Sequence, residues 1–400
     1  MVITDLLEKN ARLYGSEISL VEINPSEERD QAVTWRDYSL IESNRPDAPY
    51  RREMTWSQFD KNANRFANLL LSRRVKKGTK VGILLMNCLE WLPIYFGILK
   101  AGCLAVPLNF RYTSEEIQYC LGLADVEVLV FGPEFVSRLD PIIDQIPKVH
   151  NRFYLGKDLP AYGEPLWELM GYCSREAPPV SFTEDDLAAI YFSSGTTGYP
   201  KLVTHNYKYA LGHFITAKYW HCVEPDGLHF TISDTGWGKA LWGKLYGQWL
   251  CEAAVFTYDF DRFDAHDILP LFAKYNITTF CAPPTMYRFM IKEDLSKYDL
   301  SSIHHATTAG EALNPEVFHQ FKKATGLSVM EAFGQTETTM VIGNLVGMKP
   351  KIGSMGKPSP LFQVDILNVH GQPAAVGESG EIVIRTQDGV PCGLFNGYLD

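Results

Sequence analysis

Short apolar runs that alternate with helical stretches constrain the fold of this 400-residue chain more than any other feature. Buried strands are predicted at 80–86, 126–132 and 187–192, and again at 277–282 and 302–310. A strand that is followed by a helix and then by another strand favours a parallel sheet, because the crossover returns the chain to its starting edge. The sequence therefore predicts an α/β fold with doubly wound, mostly parallel sheets.

Helical periodicity is clear in the segments between those runs. Apolar residues recur at helical spacing within 54–78, and Gly78 is predicted to close that helix. A second helix is predicted at 88–102, and a third is predicted to begin at Thr113 or Ser114. Two further helices are predicted at 265–276 and 315–326.

The rhythm repeats in two blocks, which predicts two α/β subdomains at 1–180 and 181–345. Beyond them, glycine-rich turns separate short alternating runs, which predicts a small antiparallel, barrel-like β subdomain at 346–400. Residues 25–50 are polar and contain prolines, so they are predicted to form an excursion between two ordered segments.

Composition limits the classes of function. The formal net charge of −10 argues against a nucleic-acid binder, so an anionic ligand has to be held by local groups. No apolar window is long enough for a membrane span, and the N-terminus lacks the pattern of a secretory signal. The eight cysteines are scattered without a CxxC pair, which predicts reduced thiols in a cytoplasmic protein and no zinc site.

A loop rich in hydroxyls and glycine follows the strand-like run 187–192. Backbone amides in such a turn converge into an anion nest, and glycine lets the backbone approach a ligand closely. The spacing does not match the usual P-loop pattern. The loop is predicted to bind a polyphosphate. The alternative is that it is a polar surface turn between two strands. The predicted phosphate-binding residues are Ser193, Ser194, Gly195, Thr196, Thr197, Gly198 and Lys201.

A second polar cluster, EAFGQTETT, spans residues 331–339. Glu337 offers a hard oxygen ligand for Mg²⁺, Thr336 a donor to a phosphate, and Phe333 a surface for a purine ring. The alternative is a solvated helix start with Glu and Thr at ordinary capping positions.

Together and in this order, the two motifs resemble those of the adenylate-forming superfamily, which includes acyl-CoA synthetases, luciferases and the adenylation domains of peptide synthetases. The segments AGEAL (309–313), GESGEIVIR (377–385) and GLFNGYLD (393–400) resemble three more of its motifs. The segments at 232–256 and 281–290 are similar to the medium-chain acyl-CoA synthetase branch, and so is the apolar Leu202 after the loop lysine. Ala312 departs from the usual proline.

The resemblance implies a reaction in two steps. A carboxylate attacks the α-phosphorus of ATP to give an acyl-adenylate and pyrophosphate, and the thiol of coenzyme A then displaces AMP. It implies Lys201, Thr336 and Glu337 as catalytic residues, and Glu337 and Thr196 at Mg²⁺. Beyond the phosphate loop, it implies nucleotide contacts at Gly310, Glu311, Ala312, Glu331, Ala332, Phe333, Gly334, Gln335 and Thr336.

The resemblance also implies an acyl pocket. Acetate-specific relatives have a tryptophan where this chain has Gly334, so an acid longer than acetate is predicted. Trp237, Gly238 and Lys239 are predicted to line or approach the pocket. Core packing of Trp237 and a solvated surface position for Lys239 are the alternatives. His205 is predicted to be structural, because an ionised acid needs no general base.

The family has a further segment, a hinge and a small C-terminal lid domain beyond the point that corresponds to Asp400. The chain is therefore predicted to be the large N-terminal domain, able to bind nucleotide but poorly active alone. A non-catalytic nucleotide- or partner-binding fragment and an enzyme that loads a carrier protein stay open. So do the oligomeric state and the acid, which is medium-chain, branched or aromatic.

Overall fold

The computed structural model describes residues 2–23, 51–193, 200–260 and 262–399. The predicted excursion at 25–50 and the loop residues Ser194–Gly198 lie outside this range. The strands are β1 (Ile18–Ile23), β2 (Arg52–Thr55), β3 (Lys80–Leu84), β4 (Leu104–Pro107), β5 (Val128–Phe131), β6 (Asn151–Tyr154), β7 (Glu164–Pro165), β8 (Leu187–Ser193), β9 (Lys201–Asn206), β10 (Leu228–Thr231), β11 (Ala254–Tyr258), β12 (Thr279–Cys281), β13 (His305–Ala309), β14 (Val329–Phe333), β15 (Ile342–Gly343), β16 (Lys357–Pro358), β17 (Val364–Leu367), β18 (Glu381–Ile384) and β19 (Gly397–Leu399).

Helices cover the sheets. The α-helices are α1 (Ile3–Leu13), α2 (Trp56–Ser72), α3 (Trp91–Lys100), α4 (Ser114–Leu123), α5 (Val136–Leu139), α6 (Leu166–Gly171), α7 (His213–Ile215), α8 (Gly247–Leu250), α9 (Ala265–Ile268), α10 (Leu271–Tyr275), α11 (Pro284–Met290) and α12 (Pro315–Thr325). Two π-helical segments occupy Thr216–His221 and Leu241–Leu245. Short 3₁₀ turns occur at Pro133–Phe135, Asp140–Gln145, Tyr209–Gly212 and Leu295–Lys297.

The strands form two large sheets and one small one. The first has the order β19-β9-β8-β4-β3-β5-β6-β7 and is parallel from β8 to β7. The second has the order β16-β15-β14-β13-β12-β10-β11-β1-β2 and is parallel from β14 to β1. The predicted α/β class with mostly parallel sheets is confirmed.

The C-terminal part contains a small antiparallel pair, β17 and β18, joined from Val364↔Ile384 to Leu367↔Glu381. The predicted small antiparallel unit is therefore present, as a two-stranded sheet. The division into three subdomains stays a prediction. The sheets draw strands from both sides of residue 180, because β1 joins the second sheet and β8 joins the first.

Local sequence explains where the helices begin and end. Thr55 and Gln58 form a capping box at the start of α2, and Thr113 and Glu116 form one at the start of α4. The predicted helix 54–78 ends six residues before Gly78, at Ser72. The predicted helix 265–276 is divided into α9 and α10 before Pro270, because proline cannot donate the backbone hydrogen bond that would continue α9.

The largest core lies between the two sheets. It contains Val81 and Ala189 from the first sheet, Val255 and Ala309 from the second, and the buried faces of α2 and α3. Helices α2 and α3 approach so closely that a Cβ on Gly97 would lie 2.7 Å from the carbonyl oxygen of Ala63. This shared core fixes the carboxyl ends of both sets of parallel strands relative to each other.

Candidate functional site

A cavity of about 570 Å³ lies at the carboxyl ends of the second sheet. Its walls are the residues that follow five neighbouring parallel strands, β10 to β14, where ligands of open α/β sheets usually bind. The lining residues that matter below are Trp237, Gly238, Lys239, Trp242, Gly310, Glu311, Gly334, Gln335 and Thr336.

The predicted phosphate loop connects two antiparallel strands of the first sheet. Ser193, the last residue of β8, pairs with Lys201, the first residue of β9. Lys201 is exposed, and its Nζ lies 5.0 Å from the centre of the Tyr398 ring. The structure thus places both ends of the predicted loop at one edge of the first sheet.

The segment after β14 is held by two aromatic side chains, His205 on β9 and Tyr209 in the 3₁₀ turn that follows β9. His205 Nε2 donates to the Thr336 carbonyl at 2.8 Å, and Tyr209 Oη donates to the Thr338 carbonyl at 3.0 Å. The two rings stack with centroids 3.7 Å apart. Burial lowers the pKa of His205 to about 3, so the ring stays neutral and keeps the proton on Nε2. Both side chains therefore fix the backbone that carries Thr336 and Glu337.

The C-terminal strand reaches the same segment. Tyr398 Oη donates to Glu337 Oε1 at 2.8 Å, and the Phe395 amide donates to the Glu337 carbonyl at 2.8 Å. Tyr398 lies on β19, which pairs with β9 from Gly397↔Thr204 to Leu399↔Leu202. Lys201, on β9 of the first sheet, and Glu337, in the turn after β14 of the second sheet, are therefore linked through one short strand.

The residues predicted to surround adenine have different surroundings. Gly310, with φ +104°, and Glu311 line the cavity, and Glu311 Oε2 accepts from Thr285 Oγ1 at 2.9 Å. Ala312 follows them and is exposed. The backbone after β13 is thus open toward the cavity.

Three residues of β14 have their side chains elsewhere. Glu331 is buried, and its carboxylate accepts from the Leu313 amide at 3.3 Å, while burial raises its pKa. Ala332 is buried in the central core, and Phe333 packs against Val341 and its neighbours. In the segment that contains β14, the lining of the cavity therefore begins only at Gly334.

The predicted acyl-pocket residues Trp237, Gly238, Lys239 and Gly334 all line the cavity, and the part formed by Gly334 and Trp242 is its floor. Trp237 is 60% exposed, so core packing does not explain it. A Cβ on Gly238 would lie 2.7 Å from Thr336 Oγ1, and a Cβ on Gly334 would lie 2.3 Å from Trp242 Cζ2. Glycine at 334 therefore admits the indole of Trp242, which fills the space beside it and ends the cavity there.

Two lysines beside the floor are held by backbone carbonyls. Lys239 Nζ donates to the Ala309 carbonyl at 3.0 Å, and Lys244 Nζ donates to the Ser233 carbonyl at 2.7 Å. Burial lowers the pKa of both, that of Lys244 to about 8. Lys239 is thus partly buried against the end of β13 rather than solvated.

Two residues at this site, Trp242 and Tyr398, were not predicted from the sequence. Trp242 follows Trp237 in the same segment, and only the π-helical turn brings it back to the cavity. Tyr398 lies in the segment GLFNGYLD (393–400), but no local pattern shows which residues its side chain contacts.

The residues fit a nucleotide-bound Mg²⁺ better than a metal held by protein alone. Within the described ranges, no three His, Cys, Asp or Glu side chains are grouped to hold a metal ion. Glu337 offers one half-buried carboxylate beside the cavity. Mg²⁺ is commonly bound through one or two carboxylates together with substrate phosphates.

None of the helices in the described part of the chain is both long and apolar enough to cross a bilayer. The predicted cytoplasmic location stays a prediction.

Curated relatives and solved structures resemble the chain over most of its length. Rat acyl-coenzyme A synthetase ACSM3, named as mitochondrial, is 34% identical over 353 residues, which cover 87% of this chain and 61% of the rat protein. The chain thus spans about three fifths of the length of this relative.

Two solved structures share the fold. The anthranilate CoA ligase AuaEII in complex with anthranoyl-AMP has a TM-score of 0.87 at 24% identity and covers all of this chain and 71% of the ligase. An acyl-CoA synthetase from Brucella canis has a TM-score of 0.85 at 20% identity, with 100% and 69% coverage. The family model described as AMP-binding enzyme matches residues 29–399, and the chain therefore belongs to the AMP-binding enzyme family.

Proposed function

We propose that the protein activates a carboxylic acid with ATP and transfers the acyl group to coenzyme A, as an AMP-forming acid–thiol ligase. The proposal depends on the placement of three residues: Thr336 lines the cavity, Glu337 follows it directly, and Lys201 lies against the ring of Tyr398, whose hydroxyl donates to Glu337. The names of the relatives support it, since ACSM3 is an acyl-CoA synthetase and AuaEII was solved with an acyl-adenylate.

The chain's own residues supply charge neutralisation and positioning for the first step. The acid and the triphosphate are both anions, and negative charge grows on the leaving pyrophosphate. In this proposal, Lys201 and the amides of the loop that precedes it face the leaving phosphates, and Thr336 donates to the α-phosphate. Glu337 would hold Mg²⁺, which supplies Lewis-acid stabilisation of the phosphates when bound. His205 and Tyr209 keep Thr336 and Glu337 in place by hydrogen bonds to the backbone carbonyls of Thr336 and Thr338.

The acid is proposed to be compact and longer than acetate. The indole of Trp242 ends the cavity beside Gly334, which favours a branched or aromatic acid over an extended medium chain. Acceptance of coenzyme A, rather than a carrier protein, is proposed from the likeness to ACSM3.

Binding of non-hydrolysable acyl-adenylate analogues tests the proposal without requiring turnover. The full chain is titrated calorimetrically with acyl-sulfamoyl adenosines that carry acetyl, isobutyryl, benzoyl and octanoyl groups. The isobutyryl or benzoyl analogue is expected to bind most tightly. Absence of binding by all four would overturn the nucleotide site, and tightest binding of the acetyl or octanoyl analogue would overturn the proposed acid class.

Lys201→Ala tests the phosphate role. Loss of a charged group beside the triphosphate is expected to weaken ATP binding by roughly tenfold. Lys323→Ala, on the exposed face of α12, is the matched control and should bind ATP as the wild type does. Equal ATP affinity in the Lys201 variant and the control would contradict the assignment.

A further inference from the structure

One side chain, Tyr398, touches both charged groups of the candidate site. Its hydroxyl donates to Glu337 Oε1 at 2.8 Å, and the ammonium of Lys201 lies 5.0 Å from the centre of its ring. The second distance lies within the usual range for a cation over an aromatic face.

The strand register explains why all three groups meet. In the antiparallel pair of β9 and β19, Tyr398 lies opposite Val203. Lys201 is two residues from Val203 and points to the same face, which makes it the diagonal neighbour of Tyr398. Shifting β19 by one residue would turn the phenol to the other face of the sheet and break both contacts.

The backbone around Tyr398 reinforces the contact with Glu337. The Thr339 amide donates to the Gly393 carbonyl at 2.8 Å, and the Phe395 amide donates to the Glu337 carbonyl at 2.8 Å. A bridge also joins Thr338 to Leu394. The segment 393–399 therefore holds Glu337 by its carbonyl and by its carboxylate at once.

We infer that Tyr398 is a positioning residue that couples the metal-binding carboxylate of Glu337 to the phosphate-binding ammonium of Lys201; the inference rests on the proposed function. The phenol fixes one oxygen of Glu337, which orients the carboxylate and leaves Oε2 for a cation on the nucleotide. The ring holds the flexible lysine chain near the same phosphates. A phenol that packed only for stability would affect folding but not the response of ATP binding to metal.

The test compares ATP binding by the full chain with and without Mn²⁺, measured calorimetrically. The readout is the dissociation constant without Mn²⁺ divided by the dissociation constant with Mn²⁺. This ratio isolates the contribution of the metal to ATP binding. Tyr398→Phe keeps the ring and removes the hydroxyl, and its ratio is expected to fall by roughly tenfold, the usual effect of losing a hydrogen-bond partner of a metal ligand. Tyr172→Phe, at a side chain that is 84% exposed, is the control and should keep the wild-type ratio.

A second variant tests the contact with Lys201. Tyr398→Leu removes the ring, so metal-free ATP binding is expected to weaken. In a chain that already carries Lys201→Ala, the same change should weaken it no further, because the ring acts on metal-free ATP only through the ammonium of Lys201. A wild-type ratio in Tyr398→Phe, or additive losses in the double variant, would overturn the coupling.

The outcome for the wild type separates the two proposals. Absence of ATP binding, or binding that ignores Mn²⁺, overturns the proposed metal and nucleotide site itself. Metal-dependent binding in the wild type that Tyr398→Phe leaves intact overturns only the inference. Thermal unfolding of each variant verifies its fold, and a crystal structure of the wild type with Mn²⁺ and ATP gives an independent measurement. In it, Tyr398 Oη should lie within hydrogen-bond distance of Glu337.

Discussion

Gly334 lines the cavity, as a residue of the predicted acyl pocket should, but the shape of the cavity beside it differs from the predicted one. The sequence predicts open space at this position, because glycine has no side chain. The structure fills that space with Trp242, whose ring would lie 2.3 Å from a Cβ at residue 334. The resemblance to a family identifies the position, but it does not report a neighbour from another turn of the chain.

Trp242→Leu is expected to move the acyl preference toward longer acids. The smaller side chain opens the floor beside Gly334, and each buried methylene of a ligand contributes about 0.8 kcal/mol. The octanoyl analogue should therefore gain at least roughly tenfold in affinity relative to the isobutyryl analogue. Trp167→Leu, at a buried tryptophan in α6 away from the cavity lining, is the control for general loosening. An unchanged ratio of the two affinities in Trp242→Leu would show that the indole does not set the depth.

Among the helices, the close approach of α2 and α3 makes a prediction about stability. Gly97→Ala places a methyl group 2.7 Å from the Ala63 carbonyl oxygen and 2.9 Å from Phe66 Cβ. Overpacking of this kind costs about 1–3 kcal/mol of unfolding free energy.

A glycine-to-alanine substitution in α4 is expected to raise the unfolding free energy instead of lowering it. A Cβ on Gly122 meets nothing within 4 Å, so Gly122→Ala gains helix propensity of up to about 1 kcal/mol. Urea unfolding of both variants measures the pair. A Gly97→Ala variant as stable as the wild type would contradict the described packing of α2 on α3, and destabilisation by Gly122→Ala would contradict the open space beside that position.

The strands and helices were predicted well where their signals are local. The apolar runs between helical stretches correctly predicted β3, β5, β8, β12 and β13. Thr113 correctly predicted the start of α4. The partners of the strands were not predictable in this way. No pattern in residues 18–23 or 397–399 indicates that β1 joins the second sheet and β19 the first, because pairing depends on surfaces that form only in the folded chain.

In the candidate site, too, local motifs could be recognised from the sequence, whereas contacts between distant segments could not. The sequence selected the two ends of the predicted phosphate loop, Glu337 and the predicted acyl-pocket segment from contiguous motifs, and their roles stay predictions. Phe333 was predicted to face a purine, and that role stays a prediction, while its side chain packs against Val341 in the structure. Contacts across long separations, such as those of Tyr398, need the fold.

At the scale of the whole molecule, buried histidines predict sensitivity to acid. Burial lowers the pKa of His205, His213 and His229 to about 3 from 6.5. Between these values the unfolded chain binds more protons than the folded one, so the unfolding free energy falls as pH drops from about 6.5 toward 3. At neutral pH and above, these groups are uncharged in both states and contribute no pH dependence.

His213→Phe isolates one of these groups. The ring is buried among Tyr209, Trp242 and Tyr246, and neither nitrogen has a hydrogen-bond partner among the described residues. Replacing the imidazole should reduce the slope of unfolding free energy against pH, between pH 4 and 6, by about 1.4 kcal/mol per pH unit. This is the slope that one proton taken up on unfolding produces. Urea unfolding at several pH values gives the slope. His319→Phe, at an exposed helix position, should leave it as in the wild type.

The pairing of β19 with β9 has a consequence for how the protein matures on the ribosome. Lys201 and Glu337 emerge from the exit tunnel well before Tyr398, and the nascent polypeptide lacks the strand that joins them until residues 397–399 are free. Translation must therefore run past Tyr398 before the two charged groups acquire their common support, and a chain cut short before residue 397 would contain both groups unconnected.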